Sequence, residues 1–209
     1  MKPMRGIVQD ILASAVPVVA YVSPAGARAD SAGTYILLAC HIAAMTPTSH
    51  LGAATPVPLL NNAPEKDSED EAPDPGMDRK VMNDAVSYIR SLADRHGRNA
   101  DWAESAVTEA ATLTAREALE QNVIEFIAED HQELLALIDG YEVKIAGGSR
   151  AISTSDAEIE PFKANWRIRL LTVISNPEIV LLLGLIGLYG LMYEGWNPGA
   201  IVPLSLIHI

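Results

Sequence analysis

The chain has 209 residues, with 27 acidic side chains against 15 lysines and arginines and a formal net charge of −12. That length gives room for one medium domain with a real core plus an appendage. The acidic balance excludes a nucleic-acid binder, because nothing here would neutralise a run of phosphates, and the single cysteine, Cys40, excludes an intramolecular disulfide framework.

Met1-Lys2-Pro3-Met4-Arg5 runs directly into Gly6–Ala15, an amphipathic helix pattern with Ile7, Ile11 and Leu12 on one side. It lacks the uninterrupted apolar core of a signal peptide. A domain that opens on a helix feeding a buried strand is more natural if further strands precede it. Pro17–Val22 is a continuous apolar run, expected of a parallel strand covered on both faces. A Ser23-Pro24-Ala25-Gly26 turn follows, then Ser31-Ala32-Gly33-Thr34 opens a second apolar segment from Tyr35 to Met45. This reads as a strand, a tight loop and a helix mouth with a serine at it. An exposed hydroxyl among small neighbours, near a helix N-terminus that favours developing negative charge, suits a nucleophile. Serine is equally a preferred N-cap, and the stretch alone leaves both readings open, the cap being the commoner. Cys40, inside the apolar segment, reads as a small buried hydrophobe.

His41–Met45 fits either a helix end or a second short strand, and Thr46–Pro56 is turn chemistry with small residues, a loop beside a binding cleft. His41 and His50 have no partner at ligand spacing, so both read as structural histidines and no metal is expected. Asn61–Asp78 interleaves acidic residues with Pro64, Pro73, Pro75 and Gly76, a solvated loop that lacks the spacing of an EF-hand. Helical periodicity returns in Lys80–Leu92, where Val81, Ala85, Tyr88, Ile89 and Leu92 recur at three- and four-residue steps. Lys80 then falls in the first turn, where the helix field disfavours a cation. A solvent-facing lysine and a functional one are the two readings of that violation.

Ala100–Ala111 reads as helix, Thr114 and Glu117 as a capping box, Val123–Ala128 as a strand, and Asp130–Ile138 as a helix closed by Gly140. Tyr141–Thr154 reads as a hairpin about Gly147-Gly148. The alternation predicts a layered α/β domain over 1–140, with a hairpin and linker over 141–161. In 162–209 the solvent changes. Phe162–Ile174 carries Lys163, Arg167, Arg169 and Trp166, an amphipathic approach to a membrane surface. Ile179–Tyr193 holds no charge, and extending to Asn176–Trp196 gives about twenty residues, enough for a hydrocarbon core of about 30 Å, with Tyr193 and Trp196 as anchors; a buried helix of a soluble domain is the alternative reading. Asn197–Pro203 reads as a turn into a further apolar helix, which Leu204–Ile209 cuts off.

The stretch Tyr21-Val22-Ser23-Pro24-Ala25-Gly26-Ala27-Arg28-Ala29-Asp30-Ser31-Ala32-Gly33-Thr34-Tyr35-Ile36 resembles the serine motif of the NfeD family of membrane-bound, ClpP-class serine proteases. The likeness continues through His41–Met45, His50–Pro56, Lys80-Val81-Met82-Asn83-Asp84, the Gly97-Arg98-Asn99 turn, Leu113–Leu119 and Asn197-Pro198-Gly199. It implies a ClpP/crotonase-like α/β fold followed by a membrane-spanning helical segment. It further implies a Ser–Lys dyad, with Ser31 as nucleophile and Lys80 as general base, needing no cofactor or metal, and a cleft and oxyanion neighbourhood at Ala32, Gly33, Gly52 and Ala53. A serine needs an adjacent base, and a lysine serves only as the neutral amine, which a first-turn position favours. Two departures stand out. Asp30 replaces the family's small residue before the nucleophile, and no glycine-rich oxyanion loop precedes Pro17. The resemblance also implies cleavage of hydrophobic segments in stomatin-like membrane partners, contact with membrane lipid and a protease domain that dimerises. It places the protease on the periplasmic or extracellular side of a cell (inner) membrane. Lys163, Arg167 and Arg169 argue for the opposite orientation, a bias that long translocated domains override. A non-catalytic membrane scaffold for the same partners, with Ser31 as cap and Lys80 on the surface, is the competing reading.

Overall fold

The computed structural model describes residues 2–56, 75–163 and 165–196. The chain forms two units, Met1–Ala157 and Glu158–Ile209.

The first unit begins with α1 (Lys2–Leu12), which buries Met4, Val8 and Ile11 at helical spacing. Ile7, expected on the buried side, is 47% exposed, because the buried stripe follows Met4 rather than Ile7. Next come β1 (Val19–Val22), β2 (Arg28–Asp30), α2 (Ala32–Ala39), β3 (Ile42–Met45) and β4 (His50–Gly52). The second apolar segment is therefore helix and then strand, since α2 ends at Ala39 and Cys40 already has extended backbone. Then follow α3 (Pro75–Arg95), α4 (Ala100–Thr108), β5 (Thr112–Thr114), α5 (Ala115–Glu120), β6 (Phe126–Ile127), α6 (His131–Ile138) and the hairpin β7 (Glu142–Ile145) and β8 (Gly148–Ala151).

The strands make two small three-stranded sheets. One has the order β1-β3-β6, all parallel, and the other β2-β4-β5, with β2 parallel and β5 antiparallel to β4. Period-two alternation makes β3 the central wall. Ala43 and Met45 enter the larger core with Leu37, Leu38, Leu51, Ile89 and Val107, whereas Ile42 and Ala44 face a smaller core with Leu134, Ile138 and Val143. The strand covered on both faces is thus β3; β1, at the edge of its sheet, is only half-buried over Val19–Tyr21.

Local capping follows the sequence. Thr114 and Glu117 form both halves of the capping box at α5, and Asp130 Oδ1 accepts from the Gln132 and Glu133 amides at α6. Most of the acidic Asn61–Asp78 stretch lies outside the described residues, but its last four residues belong to α3. Starting at Pro75 puts Lys80 in the second turn rather than the first, where the N-terminal field of the helix is weaker.

The second unit holds α7 (Trp166–Ile174) and α8 (Pro177–Trp196). Asn165 caps α7 and the Asn176 side chain accepts from Glu178 N–H at the start of α8. The pair bends by 73°; among the described residues no single helix is long and apolar enough to cross a membrane, and only the two together have that length and composition. This departs from the expected single span over Asn176–Trp196. The uncharged run Ile179–Tyr193 measures about 22 Å at about 1.5 Å per residue, short of about 30 Å. The residues from Asn197 onward lie outside the described part.

Candidate active site

Strand β2 delivers the chain to Ser31, which turns it sharply into α2 with φ 52 and ψ −115. A non-glycine residue there carries strain of about 1–3 kcal/mol that its surroundings must hold. Small neighbours make room for the turn: a Cβ on Gly33 would sit 3.5 Å from that of Ala29. Ser31 occupies the N-cap position, yet its hydroxyl makes no capping bond, and the residue is exposed. The serine is therefore not serving as the cap that its position would suggest.

The amides around it divide into two groups. Ser31 N–H donates to Gly52 O at 3.1 Å and Ala53 N–H donates to Ala111 O at 3.0 Å, so the β4 end offers Ser31 a carbonyl rather than a donor. The amides of Ala32 and Gly33 lie in the first turn of α2, where no intrahelical acceptor exists. Gly52 is bound to its place. Its φ is +134, and a Cβ there would lie 2.2 Å from Ala111 O. Ala53 follows at φ 44. Thr34, one turn into α2, sends its hydroxyl to Ala29 O and Gly52 O, each at 2.8 Å.

Asp30 sits beside this turn with Oδ2 3.5 Å from Arg28 Nε. Its Oδ1 is buried without a hydrogen-bond partner among the described residues. An open recess of about 350 Å³ lies against the same strand and helix, walled by Ala20, Val22, Ala29, Gly33 and Ile36 and rimmed by Arg28.

Helix α3 runs beside α2 in the same sense. Tyr35 stacks on Tyr88 with centroids 6.0 Å apart, and farther along both helices His96 Nε2 donates to Ala39 O at 3.2 Å. The N-terminal part of α3, which carries Lys80, thus extends from Tyr88 in the direction in which α2 runs back from Tyr35 to Ser31. Lys80 is exposed, and no hydrogen bond links it to Ser31. Arg5 of α1 lies over the Tyr88 ring and pairs with Asp84, one turn past Lys80.

The far end of α2 is clamped by a residue whose role sequence reasoning missed. Arg98 is 4% exposed; its guanidinium donates to Leu37 O, Leu38 O and Cys40 O at 2.9–3.1 Å and forks onto both Glu125 oxygens at 2.7 and 2.9 Å. Glu125 in turn accepts from Ala43 N–H at 2.6 Å. One cation therefore meets three carbonyls at and just past the C-terminus of α2, where the helix field favours positive charge. The Gly97-Arg98-Asn99 turn was the available signal, but nothing in it named the carbonyls it would meet.

The remaining candidates are structural. His41 Nδ1 accepts from Val18 N–H at 3.1 Å, and burial together with the nearby Arg95 and Arg98 charges holds the ring below the usual histidine range. Burial and Arg98 push His96 down to about 4. His50 pairs within the sheet opposite Arg28 and Thr114. Burial pushes the Cys40 thiol up to about 11, an inert state. No cluster able to hold a metal occurs among the described residues.

No family model matches the chain. It is 37% identical over 202 residues to a membrane-bound protease of Pyrococcus horikoshii, an alignment that spans 96% of this chain and 44% of that protein. Among solved structures it resembles the 1510-N membrane-bound stomatin-specific protease. One is a lysine-to-alanine mutant in complex with a substrate peptide, with TM-score 0.70, 35% identity and coverage of 83% of this chain and 76% of that one. A serine-to-alanine mutant matches with TM-score 0.66 and 38% identity over 78% of this chain and 76% of that one. A third, specific for a stomatin homologue from P. horikoshii, matches with TM-score 0.67 and 34% identity, covering 83% and 75%. The likeness gives the first unit a ClpP/crotonase-like α/β fold.

Proposed function

Because the chain belongs to the NfeD family of membrane-bound, ClpP-class serine proteases, we propose that it is a serine endopeptidase in which Ser31 is the nucleophile and Lys80 the general base. The observation that carries this reading is the Ser31 hydroxyl, without a hydrogen-bond partner among the described residues and held at a strained helix mouth. Serine-to-alanine and lysine-to-alanine mutants were solved for the 1510-N protease, which supports the pairing.

The chemistry runs in two halves. The neutral Lys80 amine takes the Ser31 Oγ proton as Oγ adds to the scissile carbonyl, and the resulting ammonium returns that proton to the leaving amine, giving an acyl-enzyme. Water then adds to the ester, with Lys80 again accepting and returning a proton, and the peptide acid leaves with Ser31 restored. The oxyanion of each tetrahedral intermediate is met by the Ala32 and Gly33 amides, a contribution commonly worth about 3–4 kcal/mol of barrier per donor. The dyad requires Lys80 to close on Ser31, and such contacts commonly tighten only with substrate bound.

The apolar recess beside α2 supports hydrophobic segments as substrate, and the stomatin specificity of the 1510-N proteases supports a stomatin-like membrane partner. The exposed, charge-free faces of α8 and the Arg167, Arg169 and Trp166 set on α7 support anchoring to a membrane. The protease domain works as a homodimer on the periplasmic or extracellular side of the cell membrane. The test is cleavage of peptides copied from the apolar C-terminal segments of stomatin-like proteins. Ser31→Ala and Lys80→Ala each lower kcat by about a thousandfold or more. Binding of such peptides without cleavage by the unaltered chain would instead favour the scaffold reading, which the exposure of Lys80 and its lack of a bond to Ser31 favour.

A further inference from the structure

A strained residue at a strand-to-helix turn persists only where its neighbours fix it, and at Ser31 one of the fixing groups is a side-chain hydroxyl. Thr34 is wholly buried, at 0% exposure, and its Oγ1 lies 2.8 Å from Ala29 O and 2.8 Å from Gly52 O. Both oxygens are acceptors and the hydroxyl has a single proton, so that proton is shared between them. A helical threonine ordinarily turns back to the carbonyl three or four residues before it. Ala29 is five residues before, on the far side of Ser31, so the bond closes a ring of chain around the serine. Gly52 O also receives Ser31 N–H at 3.1 Å, which fastens that ring to β4, and Thr34 N–H returns to Ser31 O at 3.1 Å. Gly52 cannot yield, because Ala111 O fills the space beside its Cα.

We propose that Thr34 is a positioning residue for acyl transfer at Ser31. Its hydroxyl clasps the ends of β2 and β4 around the serine, which keeps the Ser31 Oγ uncommitted and the Ala32 and Gly33 amides free. The proposal rests on reading Ser31 as the nucleophile.

The test compares Thr34→Val, which keeps the shape and removes the proton, with Thr34→Ser, which keeps the proton and removes a methyl, both in the full chain in detergent micelles. Three quantities are read: the rate of Ser31 labelling by a fluorophosphonate, kcat and KM on an apolar peptide, and hydrogen exchange at the Ser31 amide. Thr34→Val lowers labelling and kcat roughly thirtyfold with KM within about twofold, and Ser31 amide exchange rises about tenfold; Thr34→Ser stays within about threefold of the unaltered chain in all three. Labelling by Thr34→Val at the unaltered rate, or a loss in Thr34→Ser equal to that in Thr34→Val, overturns the proposal. Should Thr34→Val not fold, Thr34→Cys, a poor donor of similar volume, takes its place with the same expected losses. If that also unfolds, the hydroxyl serves stability alone and the proposal falls. An unaltered chain that never labels would defeat the protease reading, whereas the exchange comparison needs no catalysis and still decides whether the clasp exists.

Discussion

Ser31 and Gly52 face each other across the end of the β2–β4 pair, and both have backbone angles that the rest of the site depends on. The strain at Ser31 is tolerated because the β4 carbonyl accepts its amide, and that carbonyl is aimed by Gly52 at φ +134. Adding a single methyl at Gly52 drives a Cβ to 2.2 Å from the Ala111 carbonyl. Gly52→Ala therefore costs about 2–4 kcal/mol of unfolding free energy, read from urea titrations, and lowers Ser31 reactivity in the protein that remains folded. At this scale the sequence was informative about chemistry and silent about support. Serine, small neighbours and a helix mouth pointed to Ser31. The Thr34 and Gly52 contacts join positions 18 residues apart, and no local pattern encodes such a meeting. Lys80 stood out as a misplaced cation, but that argument assumed a helix starting at Lys80. With α3 beginning at Pro75 the violation weakens, and the motif likeness carries the residue instead.

Helix α2 is held at both ends by side chains from elsewhere in the chain. At its C-terminus Arg98 spans three carbonyls and Glu125, and both charged groups are largely out of water, at 1% and 15% side-chain exposure. Truncation to Arg98→Ala leaves the Glu125 carboxylate buried and three carbonyls without the guanidinium. The expected loss is about 3–5 kcal/mol, measurable by chemical denaturation. Arg98→Lys recovers only part of it, because an ammonium cannot fork to carboxylate and carbonyls together. His96 caps the same helix end as the neutral ring, with its folded pKa lowered to about 4 from 6.5. The unfolded chain therefore binds the proton first, so the contribution of His96 is fully present above pH 6.5 and is lost as pH falls toward 4. The loss amounts to about 2–3 kcal/mol between those limits, and His96→Gln flattens it in denaturation curves taken at pH 7 and pH 4.5. His41, lowered by burial and the same arginines, adds to the slope with the same sign.

Elements with strong periodicity or a cap were legible before the fold was known. The capping box of α5, the α6 helix ending before Gly140 and the Gly147-Gly148 hairpin all stand where the residues indicated. The three-residue strands β2, β4 and β5 did not, since Arg28-Ala29-Asp30 has no apolar alternation and becomes a strand only through pairing with His50–Gly52. These unpredicted strands are the ones that position Ser31.

At the scale of the whole molecule, an acidic α/β unit and a unit of exposed apolar helices answer to different solvents. In the second unit Leu181, Leu182, Leu185, Leu188 and Trp196 are all about half exposed or more, a surface that water does not favour. The chain is expected to float with liposomes in a sucrose gradient, and replacing Leu182, Leu185 and Leu188 with lysine moves it to the bottom fraction. The hydropathy of this segment was plain from the sequence. The 73° bend was not, because it arises where Asn176 and Pro177 start a new helix after Ser175 ends the old one.

The account as a whole depends on a hydroxyl made reactive by an amine on the neighbouring helix. The most direct measurement is mass-spectrometric mapping of fluorophosphonate adducts on the membrane-reconstituted chain and on its Lys80→Ala variant. An adduct on Ser31 that disappears in the variant, while both proteins melt alike, is the predicted result. An adduct that forms equally well without Lys80, or none on Ser31 in either protein, would contradict it.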